Sequence, residues 1–217
     1  DLVISNSKSG KKDLSKLCNT RVVNIPSPSF EFVNKKKKKK ITKVFQLIAV
    51  GRLVKEKGYK TIIKALYNLK IKNFNMQILG DGPEKKNLNN LIRALHLEKK
   101  IKLIGFKKNT SKYYDKSNLF INASLFEGFP NAVVEAINHN IPVICSNCKG
   151  GMNEILLSGK GGDMFPVNDF SELSKKITLF FKNPAKLNKK LTIARRNIKK
   201  YSISAHVKKY EKVFYEI

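Results

Sequence analysis

Two carboxylates eight positions apart, Glu127 and Glu135, stand in the run Glu127-Gly128-Phe129-Pro130-Asn131-Ala132-Val133-Val134-Glu135. Carboxylates accept hydrogen bonds from hydroxyl groups, so the pair suits a ligand rich in hydroxyls. Pro130 fits a first helical position, where the N–H it lacks has no use. Beyond it Ala132, Val133, Ala136 and Ile137 recur at helical spacing. Glu127 therefore falls in a loop after the apolar run Leu119 to Ala123, and Glu135 lies over one turn into the next helix. The start of that helix offers free N–H groups to an anion. A second loop, Gly51 to Gly58, carries Arg52 and Lys57. Two cations near a helix start suit a diphosphate, and Gly51 lets backbone approach closely. The G-x-x-x-x-G-K-[ST] phosphate loop is absent. A third loop, Gly80-Asp81-Gly82-Pro83-Glu84-Lys85, begins like a dinucleotide fingerprint but has Lys85 at the third glycine position. Alone it reads as a tight strand-to-helix turn. Alone, the carboxylate pair reads as a solvated helix end. Together the three loops point to a ligand with phosphates and hydroxyls.

The surrounding pattern puts these loops on one edge. Apolar runs at Val44–Val50, Met76–Leu79, Ile101–Ile104, Leu119–Ala123, Ile141–Cys145 and Gly162–Val167 read as strands. Helical spacing separates most of them, as in Thr61 to Leu69 and Leu88 to Leu95. A helix is expected around Glu154 to Leu157, and three more near Phe170–Phe181, Pro184–Lys199 and Ser204–Phe214. Strands alternating with helices mean βαβ units and a parallel sheet. Because the strands are nearly all apolar rather than alternating, both faces of the sheet should be buried. A Rossmann-like, doubly wound α/β domain is expected over residues 42–198. Its ligand crevice lies at the carboxyl ends of the strands. Before it, residues 1–25 read as strand, helix and strand. Residues 26–41, with six lysines from Lys35 to Lys40, read as an exposed linker, since like charges repel and solvate.

The chain has 217 residues, 41% of them hydrophobic, enough for a packed core. Its formal net charge is +28. Such a charge attracts nucleic acid, anionic membrane or phosphorylated ligands. Lysines are spread through every segment, which reads as compositional bias, and few arginines or stacking aromatics argue for a nucleic-acid face. Cys18, Cys145 and Cys148 form no disulfide framework and fit a reducing compartment. The Cys145-to-Cys148 spacing lacks the further ligands a zinc site needs. No apolar run is long enough to span a bilayer. The start, Asp1-Leu2-Val3-Ile4-Ser5, reads as mid-protein sequence rather than a signal peptide.

In order along the chain come Gly51-Arg52-Leu53, Lys57-Gly58, Gly80-Asp81-Gly82-Pro83, Gly105-Phe106, Glu127 to Asn131, Glu135-Ala136, Pro142-Val143-Ile144 and Gly150 to Ile155. This ordered set resembles the C-terminal half of a retaining glycosyltransferase of family 4, with the GT-B fold. Glu127 and Glu135 match that family's E-x7-E motif. The resemblance runs the whole length. It makes residues 1–25 similar to the tail of the N-terminal, acceptor-side domain, 26–41 a linker, 42–198 the nucleotide-sugar domain, and 199–217 the helix returning toward the first domain. It implies a nucleotide-sugar donor bound mainly by this half. Arg52 and Lys57 would hold the diphosphate and neutralise the leaving group. Glu135 would accept from the ribose, and backbone at Gly51 and at Gly105-Phe106 would meet the nucleotide. Glu127, with N–H groups of Gly128, Phe129, Pro130-preceded Asn131 and their neighbours, would hold the transferred sugar. The Glu-Gly-Phe-Pro-Asn variant resembles members using UDP-linked hexoses or N-acetylhexosamines. No metal is expected, because basic residues replace it.

By the same resemblance the acceptor, a glycan or lipid-linked sugar, belongs to the N-terminal domain. This piece alone should therefore transfer sugar poorly. A cytoplasmic location is expected, with the positive charge suited to the inner membrane face. Two other readings differ in class: a basic nucleic-acid-binding module, and a non-catalytic nucleotide-sugar-binding domain. Specific nucleic acid binding is not expected.

Overall fold

The computed structural model describes residues 2–26, 30–31, 44–71 and 73–215. The lysine run at 35–40 and most of the expected linker lie outside the described residues. The chain opens with β1 (Leu2–Ser5), α1 (Lys8–Leu17) and β2 (Arg21–Asn24). β1 and β2 pair in parallel as a sheet of their own.

The main sheet follows. Its strands are β3 (Phe45–Val50), β4 (Phe74–Leu79), β5 (Ile101–Gly105), β6 (Leu119–Asn122), β8 (Val143–Ser146) and β10 (Asp163–Phe165). Two short strands, β7 (Phe126–Glu127) and β9 (Lys149–Gly150), pair with each other outside it. Between strands lie α2 (Tyr59–Tyr67), α3 (Lys85–Ala94), α4 (Ser111–Lys116), α5 (Asn131–Asn138) and α6 (Met152–Leu156). Three helices close the chain: α7 (Phe170–Lys182), α8 (Pro184–Ile198) and α9 (Ile203–Tyr215). Asp169 caps α7 by accepting from the Glu172 N–H at 2.8 Å, and Pro184 opens α8.

The six strands pair in parallel in the order β10, β8, β6, β3, β4, β5. Burial of alternate side chains on opposite faces explains why they read as nearly continuous apolar runs. Along β3, Leu47 and Ala49 join one buried cluster, while Ile48 joins the other with Val50 packed against it. In β6, Leu119 and Ile121 face one way and Phe120 the other. α2, α3 and α7 cover the first face with Ile62, Leu66, Leu88, Ile92, Leu173 and Ile177. α5, α6 and α8 cover the second with Val133, Ile137, Met152, Ile155, Leu191 and Ile198. Each fully buried aliphatic contributes about 1.5–3 kcal/mol. The sheet is doubly wound, as the sequence pattern predicts.

The chain builds β3, β4 and β5 outward on one side, then returns past β3 to add β6, β8 and β10 on the other. The reversal point lies between β3 and β6. These two strands share only the pairs Leu47↔Leu119 and Ile48↔Phe120. Beyond those pairs they diverge, so a crevice opens between their carboxyl ends.

α4 is not anticipated by apolar spacing, because its one buried residue is Tyr114. Pro130 differs by one position from the sequence reading: it caps α5, which begins at Asn131. The carbonyl of Pro130 accepts from the N–H groups of Val133 and Val134. The expected strand Ile141–Cys145 begins at Val143, since Pro142 has no N–H to give the ladder.

Candidate functional site

The crevice between β3 and β6 is a cleft of about 290 Å³ lined by Val50, Gly51, Arg52, Lys57, Asn122, Glu127, Phe129, Pro130, Asn131, Ala132 and Glu135. The cationic loop and the two glutamates thus meet in one place. Of the residues singled out from sequence, Phe106 does not line it, and the cleft's lining does not include Gly128. Phe106 lies past β4 on the same sheet edge, 74% exposed.

Glycines bring the loops together. Gly58 has φ 63°, and a Cβ there would collide with the carbonyl of Ala123. The loop after β3 is therefore pressed directly on the end of β6. Along the neighbouring strand ends Gly51, Gly80 and Gly105 follow one another: Gly51 donates to the Leu79 carbonyl and Gly80 to the Gly105 carbonyl, both at 3.0 Å.

Glu127 is buried, and its Oε1 collects three donors: the Lys57 ammonium at 2.6 Å, the Ser124 hydroxyl at 2.7 Å and the Asn122 amide at 3.2 Å. A buried carboxylate needs such partners. Lys57 is thus first a partner of Glu127, though an ammonium has two further protons to offer. The backbone of Glu127 is fixed too, by pairing of β7 with β9 and by the Gly151 N–H, which donates to the carbonyls of Glu127 and Gly128.

Glu135, half-buried, accepts from the Tyr114 hydroxyl at 3.0 Å on Oε2. Burial raises the Glu135 carboxyl above its ordinary value, against the lowering pull of that hydrogen bond. Burial, with Glu135 beside it, pushes the Tyr114 hydroxyl well up, so Tyr114 stays a donor. Tyr59 is raised likewise, by burial and then by Glu127, and donates to the Gly51 carbonyl at 2.9 Å. Tyr114, Asn122 and Ser124 are the partners of Glu135 and Glu127 that sequence reading missed. The only trace of Tyr114 in the sequence is the Tyr113-Tyr114 pair in a short polar stretch.

Arg52 is exposed at the mouth of the cleft. α5 has no side-chain cap and no acidic residue in its first turn. Asn131 turns its N–H back to the Phe129 carbonyl at 2.9 Å, while the Ala132 N–H has no partner among the described residues. This helix start therefore presents a positive end to the cleft. Phe129 itself is structural: it is 8% exposed, with its ring 5.2 Å from that of Tyr201. Arg52 at the rim, an ion pair on the floor and an open helix start can hold an anion. Two fixed carboxylates beside them can bind hydroxyls.

The chain matches the family model described as glycosyl transferases group 1 over residues 31–201. It is 42% identical over 114 residues to an uncharacterized glycosyltransferase of Methanocaldococcus jannaschii, covering 52% of this chain and 28% of the relative. It is 33% identical over 153 residues to a 4-alpha-N-acetylgalactosaminyltransferase of Campylobacter jejuni, named for a diphospho-undecaprenol-linked substrate, covering 66% of this chain and 42% of the relative. The chain thus spans less than half the length of these two curated relatives. The crystal structure of HepE from Anabaena, in complex with UDP and glucose, superposes with a TM-score of 0.89 at 21% identity, over 100% of this chain and 63% of that one. That likeness establishes the fold.

Proposed function

The chain belongs to the glycosyl transferases group 1 family, and we propose that it is the donor-binding half of a retaining, family 4 enzyme that moves a hexose or N-acetylhexosamine from a UDP-linked donor to an acceptor in cell-envelope polysaccharide synthesis. The observation that carries this reading is the meeting of Arg52, Lys57, Glu127, Glu135 and the open start of α5 in one cleft. The UDP and glucose in the Anabaena structure support the donor class, and the Campylobacter relative's name supports a lipid-linked acceptor.

Arg52 and the remaining protons of Lys57 grip the diphosphate. As the sugar departs, negative charge grows on that diphosphate, and these fixed cations stabilise it. They also make a metal unnecessary. Glu127 keeps Oε2 for a sugar hydroxyl, since Oε1 already holds three donors. Glu135, oriented by Tyr114, accepts from the ribose. The main chain from Gly80 to Gly105-Phe106 meets the base, and N–H groups from Gly128 onward meet the sugar. The acceptor binds to the N-terminal domain, of which β1, α1 and β2 are the tail, while α9 returns toward it. The protein works on the cytoplasmic side, with its excess of lysine drawn to the anionic membrane face. The 217 residues alone support little transfer.

A thermal-shift panel of UDP, GDP and their hexose and N-acetylhexosamine conjugates tests the site. Saturation at one hundred times Kd adds about 2.7 kcal/mol, or roughly 5–10 °C for a domain of this size. Arg52→Ala and Glu135→Ala should each remove most of that shift. If both variants respond like wild type, the assignment is wrong.

A further inference from the structure

β1 and β2 form a separate sheet, and a hydrogen bond from α1 ties this part of the chain to the main body. Lys8, the first residue of α1, donates its backbone N–H to Oε1 of Glu154 at 2.8 Å, across 146 positions of chain. The Ser7 side chain accepts from the Gly10 N–H at 3.0 Å within the same turn. α1 has no acidic residue in its first turn, so Glu154, from α6, supplies the carboxylate at that positive end.

Glu154 is itself held and surrounded. The Asn197 amide donates to the carbonyls of Glu154 and Ile155, at 2.8 and 2.9 Å, which fixes α6 on α8. The Lys200 ammonium is pulled down by burial and by Lys8 and Lys209, and up by Glu154. The Tyr201 hydroxyl is pushed up to about 12 by burial and by Glu154. One carboxylate therefore stands where α1, α6 and the α8–α9 junction meet.

This junction reaches the cleft by two routes. α6 follows directly from β9, whose Lys149 and Gly150 pair with Phe126 and Glu127. From the other side, the turn before α1 puts the Asn6 carboxamide beside Gly128. A methyl group on Gly128 would sit 3.0 Å from the Asn6 Nδ2 and 3.1 Å from its Oδ1. Asn6 is exposed, with both a donor and an acceptor to offer.

We propose that Glu154 is a positioning residue that holds the start of α1 on the donor half, and that Asn6, so placed over Gly128, hydrogen-bonds the transferred sugar. The contact with Asn6 rests on the donor reading given above; the Glu154 latch does not. Glu154 touches neither substrate nor Glu127 and acts only through α1.

Glu154→Ala, Glu154→Gln and Asn6→Ala in the full chain test this by hydrogen–deuterium exchange and by calorimetric titration with UDP, UDP-glucose and UDP-N-acetylglucosamine. Glu154→Ala should speed amide exchange in residues 2–24 about tenfold, as expected for loss of a charged hydrogen bond, and leave β3 to β8 unchanged. Glu154→Gln keeps an acceptor oxygen and should recover most of the protection. UDP affinity should hold in all three variants. Glu154→Ala and Asn6→Ala should each weaken the UDP-sugar whose hydroxyls Asn6 meets by about fivefold, the worth of one neutral hydrogen bond, and Asn6→Ala should do so with exchange unaltered. Unchanged exchange in Glu154→Ala overturns the latch. Unchanged affinity for both UDP-sugars in Asn6→Ala overturns the sugar contact. Failure of the wild-type chain to bind UDP would count against the donor site itself, and the exchange comparison would still decide the latch.

Discussion

Lys57→Met probes the ion pair on the floor of the cleft. Glu127 is 9% exposed and the Lys57 side chain 25%, with Nζ and Oε1 at 2.6 Å. At an effective dielectric near 20, charges at that separation attract by roughly 6 kcal/mol. Desolvation of both groups, and the water still reaching Lys57, leave a net coupling of about 2 kcal/mol. Removing Lys57 also strands the carboxylate, which keeps only the neutral donors Ser124 and Asn122. Lys57→Met should therefore cost about 3 kcal/mol of unfolding free energy. Glu127→Gln, whose amide oxygen still accepts and whose lysine can turn to water, should cost about 1 kcal/mol. The double variant should cost about 2 kcal/mol, less than the sum. Urea unfolding followed by far-ultraviolet circular dichroism at pH 7 measures all four corners of the cycle. A coupling below about 0.5 kcal/mol, with m-values unaltered, would show that the pair behaves as an exposed surface pair.

Glu135 should reveal itself by pH. Its carboxyl, raised by burial, binds its proton more tightly folded than unfolded. That contribution to stability is complete below the unfolded value and is lost as pH rises through the folded one. Glu135→Gln, which never ionises, should match wild type in thermal unfolding near pH 4 and exceed it at pH 7; a gap independent of pH would contradict the burial argument. The thiols should separate by access. Cys145 and Cys148 are buried, and burial pushes both thiols up, whereas Cys18 is partly exposed. A native chain treated with an aromatic disulfide reagent should release one equivalent quickly and two more only on unfolding. Finally, Gly58→Ala should lower stability by at least about 2 kcal/mol, from its left-handed backbone and the collision with Ala123. Melting at the wild-type temperature would mean the two loops are not in contact.

The sheet, and the loops that meet in the cleft, are legible because both depend on residue types that repeat or punctuate the pattern. Leu47-Ile48-Ala49 and Leu119-Phe120-Ile121 announce strands buried on both faces. Glycines and a proline mark where those strands turn. Less legible were features made by main chain or by distant neutral partners. The β7–β9 pairing uses backbone groups of a Phe-Glu and a Lys-Gly pair, which carry no alternating pattern. Asn122 and Ser124 hold Glu127 through bonds that any polar residue could have made. α4 carries no apolar periodicity: Tyr113 and Tyr114 are adjacent and only Tyr114 is buried. Lys57 is expected on a diphosphate from its charge near a helix start and from the family resemblance; its 2.6 Å hydrogen bond to Glu127, which depends on how the loop after β3 packs on β6, is not readable from sequence.

The glycines closing β3, β4 and β5 leave three adjacent strand termini bare, at Gly51, Gly80 and Gly105. That length of the rim is a run of peptide groups without side chains. A substitution can only add bulk to it, and at Gly80 bulk strikes the Gly51 carbonyl at once. Beside that stretch, side chains enter from its neighbours: Arg52 and Asn131 line the cleft with Gly51, and Phe106 follows Gly105 exposed. Changing those side chains alters the edge while leaving the strand ends beneath them untouched.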